Sequence, residues 1–117
     1  MIALRGAVTV EADTEKDVTE AVSELLEEIS VKNKINKDDI ICLMFSQTGD
    51  IKSFYPAAAA RKRGFTCALY SSAEPDVFGG LPLCIRVMAL VDIDRTKDDI
   101  NHVYLKGAAK LRPDLIK

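Results

Sequence analysis

Residues 40–45 form an unbroken apolar run, Ile-Ile-Cys-Leu-Met-Phe, which constrains the fold more than any other feature of the chain. The run follows a turn cluster at residues 36–39 and is short, so it predicts a strand that is covered on both faces. Such a strand lies in the interior of a sheet. Only one long amphipathic helix can cover this sheet, so the opposite face needs another layer, for which a second subunit is the economical source.

The amphipathic helix is predicted at residues 14–32. Thr14 followed by Asp17 resembles a capping box. The apolar residues that recur behind it at steps of three and four are Val18, Ala21, Val22, Leu25, Leu26 and Ile29. A second, short helix or a 3₁₀ segment is predicted where Pro56 is followed by four alanines, with Gly64 as its left-handed cap.

Further strands are predicted at residues 2–11, 65–70 and 84–91 from alternation or from apolar runs. Residues 71–83 carry two prolines and two adjacent glycines, which predicts an irregular loop of the kind that is often functional. The final stretch fits a helical face and an alternating strand equally well, and the pattern leaves both open. Together these segments predict a single α+β domain over residues 1–117, with a mixed sheet and its main helix on one face.

Composition excludes several classes of function. The net charge of −2 provides no basic field for nucleic acid. No apolar run approaches the length of a bilayer span and the N-terminus has no signal pattern, so we expect no membrane partner and a cytoplasmic protein. Cys42, Cys67 and Cys84 each lie in an apolar run without a C-x-x-C pair, which predicts buried, reduced thiols. His102 is the single histidine, and without a nucleophile elbow or zinc motif we expect no metal or cofactor.

Arg86 is the charged residue in the least expected place, because its neighbours from Cys84 to Leu90 are all apolar. A guanidinium in such a setting is paired, hydrogen-bonded or available to an anionic ligand. It can also be a structural arginine whose stem packs while its head reaches the strand end. Arg5, Glu74 and Tyr104, taken singly, are ordinary surface or packing residues.

Several longer motifs, in order and over nearly the whole chain, resemble the AroH-type monofunctional chorismate mutases. They are residues 4–7 (LRGA), 9–11 (TVE), 79–81 (GGL), 84–88 (CIRVM), 102–105 (HVYL) and 111–115 (LRPDL). The resemblance implies a five-stranded mixed sheet packed on one long helix plus a short helix, assembling into a barrel-like trimer with active sites at the subunit interfaces. It also implies that the segment around Tyr104 is extended. The implied reaction is the rearrangement of chorismate to prephenate in aromatic amino-acid biosynthesis, without a cofactor.

The resemblance also implies roles for individual residues. Arg86 would contact the ether oxygen of the breaking bond and one carboxylate, and Glu74 would accept a hydrogen bond from the ring hydroxyl. Arg5 and Tyr104 would hold the carboxylate of the enolpyruvyl group. The other positions that match substrate-binding residues are Tyr55 as an aromatic contact, Ala57, Leu69 and Leu111 in the pocket lining, Ser71 near the ring hydroxyl, and Arg61 and Arg112 at the pocket mouth.

Two positions depart from the family pattern. Ala58 stands where a lysine near the substrate is common, and Ser71 replaces a cysteine but can still donate and accept a hydrogen bond. The alternatives from other classes are a non-catalytic trimeric metabolite-binding protein of the same fold and a trimeric deaminase of reactive enamines. Retention of Glu74 together with Arg86 argues against the first, and the Arg-Pro-Asp-Leu ending argues against the second.

Overall fold

A computed structural model describes residues 1–115 of the chain and contains five strands in one mixed sheet. The strands are β1 Ile2–Thr9, β2 Ile40–Gln47, β3 Ala68–Ala73, β4 Cys84–Val91 and β5 Val103–Leu105. Their spatial order is β3-β2-β4-β1-β5. The central strand β4 runs antiparallel to both β1 and β2, while β3 pairs with β2 and β5 with β1 in parallel. The apolar run at residues 40–45 therefore lies inside the sheet, as predicted.

Two α-helices pack on one face of this sheet. The long helix α1 spans Glu15–Asn33, and its N-cap Thr14 accepts a hydrogen bond from the amide of Asp17 at 3.1 Å, so the predicted start is confirmed. The short helix α2 spans Pro56–Lys62, with proline in its first turn as predicted. The core between helices and sheet is formed by the inward side chains of α1 together with Leu4, Val8, Leu43, Phe45, Ile85 and Val87.

Within residues 1–115 the opposite face of the sheet carries no α-helix, and a 3₁₀ helix at Lys106–Lys110 covers only the part around Ala7 and Cys84. Alternation along the strands places Arg5, Met44, Tyr70 and Arg86 on this side, which we call the open face. Met44 is 40% exposed and Tyr70 is 61% exposed, values that are high for a methionine and a tyrosine in a sheet. The single chain thus has one sheet face covered by helices and one that is covered only in part.

The structure corrects some of the predicted boundaries. β3 begins at Ala68 and runs to Ala73, so residues 71–73 belong to a strand and not to the predicted loop. Parallel pairing with β2 extends it, since Ser71 lies opposite Phe45 and Ala73 opposite Gln47. Phe65, the predicted first residue of this strand, lies before it and is buried in the core. β1 ends at Thr9, two residues before the predicted end.

The ambiguous final stretch is neither one helix nor one strand. Val103–Leu105 is extended beside β1, in agreement with the resemblance, and a 3₁₀ helix at Lys106–Lys110 follows. Of the three free cysteines, Cys84 is fully buried, whereas Cys42 and Cys67 are only partly buried. Within residues 1–115 no helix is both long enough and apolar enough to cross a bilayer.

Candidate active site on the open sheet face

Three of the predicted site residues meet on the open face. Ala7 of β1 lies opposite Arg86 of β4 on one side and opposite Tyr104 of β5 on the other, and Arg5 precedes Ala7 by one alternation of the strand. Arg5, Arg86 and Tyr104 therefore point to the same side of the sheet. They line one cavity of about 390 Å³, together with apolar side chains such as Met44, Tyr70 and Met88.

Glu74 is the ion-pair partner of Arg86. The distance from Arg86 Nε to Glu74 Oε1 is 2.9 Å, and the hydroxyl of Ser46 donates a hydrogen bond to the same carboxylate. The amide of Glu74 donates to the carbonyl of Gln47 at 2.8 Å, which continues the edge of β2 into the following loop. The Glu74 side chain is 13% exposed and that of Arg86 is 44% exposed, so the arginine remains open to a ligand while its carboxylate partner is largely covered.

Arg86 also borders a second cavity, of about 500 Å³, which lies beside the loop that joins β3 to β4. Glu74, Thr48 and Asp50 line the same cavity. The guanidinium thus stands between two cavities, an apolar one on the open face and a more polar one beside the loop. The apolar sequence neighbours of Arg86 predicted that its guanidinium needs a partner, and the ion pair with Glu74 supplies one.

The C-terminal predicted residues lie at the β1 and β5 side of the open face. Leu111 packs with Tyr104 against the small buried cluster that includes Ala7. Arg112 forms a two-pronged pair with Asp114, with contacts of 2.9 and 3.1 Å. This hydrogen bonding raises the pKa of Arg112 and lowers the pKa of Asp114, and the positive charge of Arg5 contributes to lowering the latter. Asp114 is therefore near Arg5, which lines the 390 Å³ cavity.

A second set of predicted residues lies on α2 and β3. Tyr55, the residue before α2, is 70% exposed, and the amide of Ala57 donates a hydrogen bond of 3.1 Å to the hydroxyl of Ser71. Tyr55 and Ser71 line a smaller cavity of about 230 Å³. Leu69 packs on the core beside the helices, and Arg61 is exposed in the last turn of α2.

None of the three cavities described above is lined by predicted residues of both sets. The first set comprises Arg5, Glu74, Arg86, Tyr104, Leu111 and Arg112, and the second comprises Tyr55, Ala57, Arg61, Leu69 and Ser71. The edge strand β3 separates them, because Tyr70 points to the open face while Leu69 and Ser71 point to the helix side.

Sequence reasoning missed Ser46, Tyr70 and Asp50. Ser46 is the first polar residue after the apolar run and lies opposite Arg86 in the β2–β4 ladder, but only the strand register reveals that relation. Tyr70 lies in a predicted strand, but the sequence pattern did not indicate which face of the sheet its side chain would occupy. Asp50 lies in a connection, and its contacts are all to residues distant in sequence or to Thr48.

His102 and Cys84 are close to this face without lining either large cavity. The amide of Arg5 donates a hydrogen bond of 3.0 Å to His102 Nδ1, so the histidine contributes to the position of the β1 backbone. Burial raises the pKa of the Cys84 thiol to about 11, which keeps it protonated at neutral pH. Across residues 1–115 no group of three or more His, Cys, Asp or Glu side chains is placed to hold a metal ion.

The fold and this face define a small α+β protein with a preformed arginine-lined cavity, suited to a small organic anion. A sequence model of the family described as chorismate mutase type I matches residues 1–115. The AroH chorismate mutase of Bacillus subtilis is 41% identical over 96% of this chain and 90% of its own length, and that of Thermus thermophilus is 42% identical over 96% and 93%. A solved chorismate mutase from Clostridium thermocellum superposes with a TM-score of 0.91 at 44% identity, covering 94% of this chain and 99% of its own.

The chain belongs to the type I chorismate mutase family. It is an isomerase, and the expectation drawn from the six sequence motifs is confirmed.

Proposed function

We propose that the protein converts chorismate to prephenate, in the biosynthesis of phenylalanine and tyrosine, by positioning its substrate and stabilising charge. The observation that carries this proposal is the placement of Arg86 between Glu74 and a cavity that Arg5 and Tyr104 also line. The rearrangement is a concerted [3,3] shift in which the carbon–oxygen bond lengthens before the new carbon–carbon bond is complete. Negative charge gathers on the ether oxygen, and no proton has to be transferred.

Arg86 is the group that suits this charge. A guanidinium beside the ether oxygen stabilises the transition state more than the ground state, because the charge on the oxygen develops only as the bond breaks. Glu74 holds Arg86 through its Nε, which leaves the other edge of the guanidinium fork for the substrate. The same carboxylate would accept a hydrogen bond from the ring hydroxyl.

Arg5 and Tyr104 would bind the carboxylate of the enolpyruvyl arm at the other end of the cavity. Holding this arm folded over the ring brings the two reacting carbons together and lowers the entropic part of the barrier. Arg112 and Arg61 would attract the dianionic substrate, with Leu111 among the apolar lining residues. Tyr55, Ala57, Leu69 and Ser71 would complete the binding surface from the second set.

A complete site of this composition requires two chains, and we propose a homotrimer with active sites at its interfaces. The separation of the two residue sets by β3 supports this assembly, because a neighbouring subunit can bring its second set against the first set of this chain. Covering the exposed Met44 and Tyr70 would also remove apolar surface from water. A cytoplasmic location stays a prediction of the sequence.

The proposal predicts that replacing Arg86 abolishes most of the activity. We expect Arg86→Ala to lower kcat at least ~100-fold, as the loss of a transition-state donor does, while the protein stays folded. Arg86→Lys should recover only a small part, because an ammonium group cannot bond Glu74 and the ether oxygen in one plane.

The measurement is the decay of the ultraviolet absorbance of chorismate, with circular dichroism to verify the fold of each variant. Near-normal turnover of Arg86→Ala would remove this arginine from the centre of the mechanism. Absence of any accelerated decay with the unaltered protein would refute catalysis and leave a binding protein of the same fold.

A further inference from the structure

Leu83 has a backbone conformation that leucine rarely adopts. Its φ angle is 48°, in the left-handed region that favours glycine. The residue stands directly before β4 and three positions before Arg86, at the end of the loop that starts after Glu74. Unusual backbone angles of this kind persist only when the surroundings hold them.

The peptide groups of Leu83 are held from two sides. Its amide donates to both carboxylate oxygens of Asp50, at 3.2 and 3.0 Å, and its carbonyl accepts from the amide of Val10 at 2.8 Å. Of these two partners of Leu83, Asp50 contributes its side chain and Val10 contributes its backbone. The carboxylate therefore supplies the one contact that a substitution can remove.

Thr48 ties the same carboxylate to the first residue of β4. Its hydroxyl donates to Asp50 Oδ1 at 2.5 Å and accepts from the amide of Cys84 at 3.0 Å. The backbone amide of Thr48 donates to the Cys84 carbonyl, also at 3.0 Å. Asp50 and Thr48 thus form a brace, by which we mean these two residues and their bonds to Leu83 and Cys84.

The brace stands at the wall of the cavity that Glu74 and Arg86 share. From Cys84 to Leu90 the strand pairs regularly with β1 and β2, so a shift at its first residue would change the direction of the Arg86 side chain two residues later. A donor to a transition state must be placed within a fraction of an ångström, because small displacements cost large factors in rate.

We propose that Asp50 is a positioning residue of the active site: by holding Leu83 in the left-handed conformation it sets the start of β4 and aligns Arg86 with Glu74. The inference rests on the role proposed above for Arg86. Asp50 acts through the backbone and not through contact with the substrate.

The test compares the kinetics of Asp50→Ala with those of a matched control. We expect Asp50→Ala to lower kcat about tenfold with a smaller change in KM, because a misaligned transition-state donor affects turnover more than capture. Asp39→Ala removes a similar carboxylate–amide bond, that of Asn36 at 2.9 Å, at the opposite end of β4 and should keep kcat within about twofold. A normal kcat for Asp50→Ala would overturn the proposal.

Two further variants separate positioning from other roles. Glycine adopts the left-handed conformation without help. Asp50→Ala should therefore lower kcat much less in the background of Leu83→Gly than in the unaltered chain. Equal losses in both backgrounds would overturn the proposal. Asp50→Asn keeps one acceptor oxygen, so its kcat should fall less than that of Asp50→Ala. This variant also provides the test if the alanine variant does not fold. An equally severe loss would assign the effect to the charge of Asp50 and not to the brace.

Arg86→Ala, assayed in parallel, distinguishes this inference from the proposal on which it rests. If Arg86→Ala turns over normally, the role of Arg86 itself fails. If Arg86→Ala is inactive and Asp50→Ala is fully active, only the brace fails. If the brace acts through Arg86, adding Asp50→Ala to Arg86→Ala should lower kcat by less than about twofold, and a full further tenfold loss would contradict it.

Discussion

At the scale of single residues, the site depends on a few ions held by short-range contacts on an otherwise apolar face. Arg86 is paired with Glu74, and Glu74 is held in turn by Ser46. Arg5 lies on the same face, and no ion pair joins it to these groups in residues 1–115. This difference supports the separate tasks proposed for the two arginines, a fixed position in the chemistry for Arg86 and the capture of a carboxylate for Arg5.

The distinction predicts different kinetics for the two arginines. We expect Arg5→Ala to lower kcat/KM by roughly ten- to a hundredfold, mainly through KM, because a charge-assisted hydrogen bond to the substrate carboxylate is lost in both the ground state and the transition state. Steady-state kinetics with chorismate measures this split.

Lys32→Ala serves as the control for net charge, since Lys32 lies on the last turn of α1 and, among residues 1–115, forms an ion pair only with Glu28. The Lys32→Ala variant should keep kcat and KM close to those of the unaltered protein. A fall in kcat at unchanged KM for Arg5→Ala would place Arg5 with the transition-state groups and contradict this division of roles.

At the scale of elements, the close approach of α1 to β1 holds the strand that carries Arg5. Gly6 is the point of contact, because a Cβ built there would lie 2.9 Å from Ile29 Cδ1, 3.1 Å from Leu25 Cδ1 and 3.2 Å from the Val103 carbonyl oxygen. The first two atoms belong to α1 and the third to β5. A side chain at this position would therefore press against both α1 and β5.

Gly6→Ala should accordingly destabilise the protein by about 1–3 kcal/mol, the usual range for overpacking a filled core. Thermal or urea unfolding, followed by circular dichroism, measures the change. Gly49→Ala is the matched control, since nothing lies within 4 Å of a Cβ at that position. Equal stability of the two variants would show that α1 moves away from the sheet without cost.

The elements that could be predicted from sequence are those determined by local contacts. The cap at Thr14, the repeat of apolar residues along α1 and the proline at the start of α2 act within a few residues of chain, and the structure confirms each. The shift of β3 to Ala68–Ala73 arises from pairing with β2, and Ser46 becomes a partner of Glu74 only through the β2–β4 register. Such relations join residues far apart in sequence, and periodicity carries no information on them.

At the scale of the whole molecule, the division of the site residues by β3 is the feature with the largest consequence. The strand order places β3 at the edge of the sheet, with the first residue set on one side of it and α2 with the second set on the other. Family motifs in the sequence identified the members of both sets, but not which of them share a surface within one chain. The geometry gives that answer, and it makes the proposed subunit interface testable.

If each active site joins Arg86 of one chain to Arg61 of its neighbour, two inactive variants should restore activity to each other. Arg86→Ala removes the proposed transition-state donor, and Arg61→Glu reverses an exposed charge that would attract the substrate. In randomly mixed trimers about a quarter of the interfaces would join an intact Arg86 to an intact Arg61, and activity should return to that fraction. The subunits are unfolded and refolded together, and the rate of chorismate decay is compared with that of each variant refolded alone.

A matched mixture distinguishes shared sites from sites within one chain. Arg86→Ala refolded with the double variant Arg86→Ala/Arg61→Glu has no intact Arg86 in any chain and should stay inactive, which controls for changes caused by refolding. If every site were built within one chain, mixing the two single variants would give no more activity than the sum of the separate samples. That outcome, obtained with chains shown by sedimentation to have exchanged, would contradict the shared interface, because both intact arginines would then be present in the trimer without meeting in one site.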